Sequence, residues 1–130
     1  MAYTTRLKMN KQATGANANT WGSVLNTEVF SIVDQAVAGY ANVTLTGASL
    51  VSLSVDDGAV SRGRNAILEL SGTLTSNTNI VIPSASRAYL INNNTSGSFS
   101  VTFKCNGGTG TTVTQGSHGM IYCDGSSVRS

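Results

Sequence analysis

The side chains able to carry chemistry are few and scattered: one histidine, His118, two cysteines, Cys105 and Cys123, and six carboxylates in 130 residues. Nucleophilic catalysis needs a nucleophile, a base and an orienting group within hydrogen-bond reach, and no motif in the chain links such residues. His118 lies in the glycine-rich stretch Gln115-Gly116-Ser117-His118-Gly119, which reads as an exposed turn or a contact between subunits rather than the seat of a base. Two cysteines and one histidine fall short of the four protein ligands of a structural zinc site. Asp56-Asp57-Gly58 lacks the twelve-residue calcium-loop pattern and reads as a hairpin turn. Arg62-Gly63-Arg64 reads as a solvated loop rather than an anion site. The first twelve residues hold no apolar stretch of the roughly 7–15 residues that a secretion signal needs, so none is expected. Without one, Cys105 and Cys123 are more economically small buried residues in a reducing compartment than a disulfide. The expectation is a protein that is not an enzyme, with no catalytic residue, cofactor or metal.

Composition narrows the partners. Charged residues make up 11% of the chain and the net charge is +2. Arg6, Lys8 and Lys11 are too few to form a nucleic-acid footprint. The longest apolar runs are four residues, such as Ala88 to Ile91, against about 20 for a membrane-spanning helix. Ser, Thr, Gly and Asn supply 17, 16, 14 and 12 residues, so the surface must be rich in hydroxyls and amides. Such residues compete with helical hydrogen bonding and favour strands and turns.

The elements divide at Gly39. Trp21, Val24, Leu25, Val29, Ile32, Val33, Ala36 and Val37 recur at spacings of three and four, which predicts one amphipathic helix. Thr20 is placed to cap it and Gly39 to end it in a left-handed conformation, with Glu28, Asp34, Ser23, Thr27, Ser31 and Gln35 on the polar side. Ahead of it, Ala13 to Asn19 is small and polar, an arm that would order on threading into a partner, with Trp21 as its anchor.

After Gly39, eight short strands are predicted at intervals of about ten residues. They are Val43–Leu45, Leu50–Val55, Ala66–Leu70, Asn79–Ile82, Ala88–Asn92, Phe99–Cys105, Thr111–Thr114 and Met120–Cys123. Asp57-Gly58, Ser71-Gly72, Asn93 to Gly97, Asn106-Gly107-Gly108 and Asp124-Gly125 punctuate them, and Pro83 should end the strand before it. The fold class expected is mainly β: an N-terminal arm and helix over residues 1–39, then one antiparallel β-sandwich or jelly-roll-like domain over 40–130.

The string Asn19-Thr20-Trp21-Gly22-Ser23-Val24-Leu25-Asn26, followed by Ile32, Asp34 and Ala36-Val37-Ala38-Gly39, resembles the attachment segment near the start of phage tail-fibre proteins. Leu70 to Thr75, Ile80-Val81-Ile82-Pro83, Tyr89, Asn92-Asn93 and Asp124-Gly125 are similar to the β-module that follows it there. The resemblance spans about residues 5 to 128. It implies a structural component of a tailed-phage virion, assembled in the host cytoplasm, a homotrimer that meets other virion proteins of tail, baseplate or capsid through its N-terminal segment. The expected assembly interface is Asn19, Trp21, Val24, Leu25, Asn26, Val29 and Ile32. With one β-module and no shaft or receptor-binding tip, a capsid decoration or head-fibre protein is an alternative expectation. A host-surface glycan-binding module is another, with Tyr40 as the receptor contact because Tyr89 and Tyr122 fall within predicted strands.

Overall fold

The computed structural model describes residues 2–47 and 50–130. The strands arise where apolar and polar residues alternate, because successive side chains leave a strand on opposite faces. In Thr78 to Ile82, for example, Thr78, Ile80 and Ile82 turn inward, and in Val101 to Cys105 the inward set is Val101, Phe103 and Cys105.

The described chain runs β1 (Ala2–Tyr3), β2 (Asn10–Lys11), a helical stretch, then β3 (Tyr40–Thr44), β4 (Val51–Ser52), β5 (Ile67–Ser71), β6 (Thr78–Ile82), β7 (Arg87–Asn93), β8 (Val101–Cys105), β9 (Gly110–Val113), β10 (His118–Cys123) and β11 (Val128–Arg129). The eight predicted strands all appear. The helical stretch is α1 (Trp21–Leu25), a π-helical segment (Asn26–Phe30) and α2 (Ser31–Ala38).

The mainly β class holds, but the strand order is not that of an antiparallel jelly roll. One sheet runs β11-β10-β7-β5-β3 and the other β4-β6-β8-β9. Pairings β3 with β5, β5 with β7, β4 with β6, and β6 with β8 are all parallel. The chain therefore alternates between two sheets in three successive turns of a flattened coil, β3–β4, β5–β6 and β7–β8. Then it reverses: β9 pairs antiparallel with β8, β10 with β7, and β11 with β10, closing the coil with an antiparallel cap. A coil of this kind buries its strands between two faces, as solenoids do.

The turns explain the difference. Asn106-Gly107-Gly108 and Asp124-Gly125 do connect hairpins, β8–β9 and β10–β11. Ser71-Gly72 and Asn93 to Gly97 instead form arches that pass from one sheet to the other and stack. Leu45 N donates to Ser71 O at 2.7 Å, Leu74 N to Ser96 O at 2.9 Å, and Ser96 N to Gly72 O at 3.0 Å. Gly72 (φ +102°) and Gly97 (φ +106°) sit on the carbonyls of Leu45 and Leu74, where a Cβ would lie 2.0 and 2.2 Å from oxygen. Only glycine fits that approach. Buried Asn93 braces the last arch: its Nδ2 donates to Val113 O at 2.8 Å while its Oδ1 accepts from Thr95 N and Oγ1.

One core lies between the sheets, built from Val43, Leu68, Leu70, Tyr89, Ile91 and Ile121 on one side and Ile80, Ile82, Val101 and Phe103 on the other. Pro83 directly follows β6, as expected.

Candidate functional site

The helix presents a different face to the protein than its apolar spacing predicts. Ile32 is fully buried and Val24, Leu25 and Val29 are half-buried within their own chain, so Ile32 is closed to a partner and the other three offer only part of their surface. Glu28 and Gln35, placed on the polar side from sequence, turn inward with them: Glu28 Oε2 accepts from Asn10 Nδ2 at 2.6 Å, and Gln35 Oε1 accepts from Ser61 N at 3.2 Å. Asn19, Trp21 and Asn26 remain exposed, Trp21 at 50%. Thr20 precedes the first helical residue, but its hydroxyl donates back to Asn17 O at 3.2 Å and makes no cap. Gly39 is extended (φ −67°, ψ 140°), not left-handed, because the chain runs straight into β3. Glycine is needed there for room, since a Cβ would lie 2.3 Å from Gln35 O and 2.5 Å from Asn65 Oδ1.

What the helix turns outward is Phe30, Val33 and Val37, at spacings of three and four and so on one face, with Val37 75% exposed. Tyr40 follows at once as the first residue of β3. By register Tyr40 faces Ile67, Ile67 faces Leu90, and Leu90 faces Met120, giving one apolar row across β3, β5, β7 and β10. At the spacing of paired strands the row is about 15 Å long. Tyr40, Leu90 and Met120 are exposed, Met120 at 64%, and Tyr122 stands two residues along β10 from Met120 on the same outer face. The neighbouring row is polar: Asn42, Glu69, Asn92 and His118. His118 thus opens strand β10 rather than lying in a turn.

Ala13 to Asn19 makes local bonds, such as Ala16 N to Ala13 O at 3.0 Å, whereas Leu7 and its neighbours, ahead of that stretch, are folded onto the β-domain. Arg64 organises this. Its Nε donates to Leu7 O at 2.9 Å, its Nη2 to Asp56 O at 2.6 Å, and its Nη1 to Ala59 O. Gly58 N donates to Lys8 O at 2.8 Å, and Arg6 Nε to Ser86 Oγ at 2.7 Å. Far from a solvated loop residue, Arg64 is 1% exposed. Burial, and next the nearby Arg87 cation, lower its pKa from the ordinary value. Arg87 Nη1 and the buried Tyr89 hydroxyl both donate to Gly63 O, so the whole Arg62–Arg64 turn is clamped. The sequence signal for this was slight: a basic pair around glycine reads the same whether the arginine faces water or a ring of carbonyls.

Cys105 and Cys123 are both buried, as expected, and their sulfurs lie 2.8 Å apart as free thiols. Burial pushes the Cys105 thiol up to about 11, helped by its hydrogen bond with Cys123. Among the described residues no group of three His, Cys, Asp or Glu side chains forms a metal-holding cluster. No helix among them is long and apolar enough to cross a membrane.

Comparison with known protein families, with curated proteins and with solved structures finds no match to this chain.

Proposed function

We propose that this chain is a non-enzymatic structural component of a tailed-phage virion, a tail-fibre-like appendage or adaptor that assembles as a homotrimer and docks on other virion proteins. The observation that carries the assembly part is the outward apolar surface: Phe30, Val33 and Val37 on the helix, then the row Tyr40, Ile67, Leu90 and Met120 across four strands. Contiguous exposed apolar surface of this kind, edged by amides and few charges, is characteristic of protein contact sites. Trp21, with exposed Asn19 and Asn26 beside it in sequence, supplies the large rigid anchor at the start of the helix. The virion assignment itself rests on the attachment-segment resemblance.

Light scattering on the full chain tests the first part: a mass of three copies is expected, falling to one when Leu90→Thr and Met120→Thr are combined. Incorporation into particles tests the second. Trp21→Ala should leave the protein folded and exclude it from the particle, and normal incorporation would sink the docking role. A capsid decoration or head-fibre position fits the same surfaces and is distinguished by which particle fraction, head or tail, retains the protein.

A glycan-binding role is the second reading, favoured by the exposure of Tyr40 and Tyr122 on one sheet face. A glycan-array signal lost in Tyr40→Ala would favour it.

A further inference from the structure

Cys105 is the last residue of β8 in one sheet, and Cys123 the last residue of β10 in the other. Both side chains point into the shared core, and their sulfurs meet across it at 2.8 Å. Non-bonded heavy atoms settle at about 3.5–4.0 Å, and a disulfide bond is about 2.05 Å long. The pair is thus held closer than ordinary packing and within a small side-chain movement of a bond.

A second observation concerns access. Cys105 Sγ lies 3.9 Å from Pro83 O, and Gly125 N donates to Cys123 Sγ at 3.4 Å. Pro83, Ser84 and Gly125, together with Asp124, line a surface groove of about 570 Å3, with Arg6 and Lys8 on its arm side. Both thiols are buried and neither lines the groove, but residues that touch them do, so a small peptide-like oxidant seated there reaches the pair when the Pro83–Ser84 and Asp124–Gly125 loops open locally. The groove's two cations suit an anionic one.

We propose that Cys105 and Cys123 are a redox modification site: the chain folds with two thiols and is stapled by an intramolecular disulfide when it meets a low-molecular-weight disulfide such as oxidised glutathione. One cysteine, as its thiolate, attacks a sulfur of the oxidant and releases one reduced thiol. The other cysteine, on losing its proton, attacks the cysteine sulfur of the mixed disulfide and releases the second. Two electrons pass to the oxidant, which leaves as two thiols. The product ties the final strand of the coil to the cap across the core, closing a loop between positions 18 residues apart. The staple would hold the end of the solenoid where three antiparallel strands replace the stacked arches. The inference stands apart from the virion reading, since it needs only the fold.

The test uses the full folded chain, purified with thiols reduced and then equilibrated with reduced and oxidised glutathione over a range of ratios. Samples are quenched, unfolded and alkylated. The expected result is a species 2 Da lighter than the reduced protein that takes no alkylating agent, with Cys105 and Cys123 linked in peptide maps. Its melting temperature should rise by about 10 °C, reversed by reductant and absent in Cys105→Ala and in Cys123→Ala. Thiols that remain alkylatable, mixed glutathione adducts that never resolve, a cross-link between chains, or an oxidised form that melts no higher would each overturn the proposal. Because the wild-type chain carries the decisive measurement, a variant that fails to fold does not obscure it.

Discussion

Arg64 Nε donates to the carbonyl oxygen of Leu7 at 2.9 Å, joining residues 57 positions apart. Through this bond and those to Asp56 O and Ala59 O, one buried guanidinium fastens the N-terminal arm and the loop before β5 to a single point. Its five fixed donors suit a ring of carbonyls at different angles, which an ammonium group does not reproduce.

Arg64→Ala should therefore cost about 3 kcal/mol, since three backbone carbonyls lose a charged donor and a buried side chain is removed. Arg64→Lys should recover only part of that. Urea unfolding measures the loss, and limited proteolysis should show new cleavage near Leu7 in both variants before the β-core opens.

The stacked arches predict a ranking among glycines. At Gly72 and Gly97 an added Cβ meets a backbone carbonyl, whereas at Gly107, also at positive φ, it meets nothing within 4 Å. Gly107→Ala should cost only the left-handed penalty of about 1–2 kcal/mol. Gly72→Ala and Gly97→Ala should cost clearly more, because the coil must separate locally to admit the methyl group. Thermal melts of the three variants side by side decide this.

The two faces of the helix should respond oppositely. Ile32→Ala empties a fully buried site and should destabilise the chain by about 2–5 kcal/mol. Val37→Thr, on the exposed face, should change stability by no more than about 0.5 kcal/mol while weakening self-association. Parallel melting and light-scattering measurements separate the two effects.

Acid should loosen the β10–β11 hairpin. Hydrogen bonding to Arg129, and then to the backbone of Ser127 and Ser126, holds the Asp124 carboxyl well below the usual carboxylate range. A lowered folded pKa gives stability that is full above about pH 4, the unfolded value, and is lost as pH falls further. In Asp124→Asn this acid-side decline should be shallower, read from melting temperature against pH at low salt.

Base should act beside the same hairpin, at the Cys105 thiol. Burial first, and the bond with Cys123 second, raise the Cys105 thiol to about 11. A raised folded pKa gives stability that is intact below the unfolded value near 9 and fades as pH climbs through about 11. The reduced protein should lose melting temperature over that window, and Cys105→Ala should lose less.

The sequence by itself determined where the helical stretch and strands β3 to β10 lie, because those follow from local spacing, but not the two-residue strands β1, β2 and β11, which are too short to carry a pattern. Alternation in Thr78 to Ile82 or Val101 to Cys105 needs only one buried face, and Trp21 to Ala38 needs only a period near 3.6. Tertiary structure decided which strands pair and in which direction. Alternation is identical in parallel and antiparallel sheets, and a glycine turn serves a hairpin at Asn106-Gly107 as well as an arch at Ser71-Gly72. A faint signal did exist: both sheets advance by the same step from the second turn of the coil to the third, Ile67 to Leu90 and Thr78 to Val101, the mark of an internal repeat. The inward turn of Glu28 and Gln35, the burial of Arg64 and the meeting of Cys105 with Cys123 were also tertiary outcomes. Each depends on groups far along the chain arriving at one place, and no local pattern of residue types encodes that arrival.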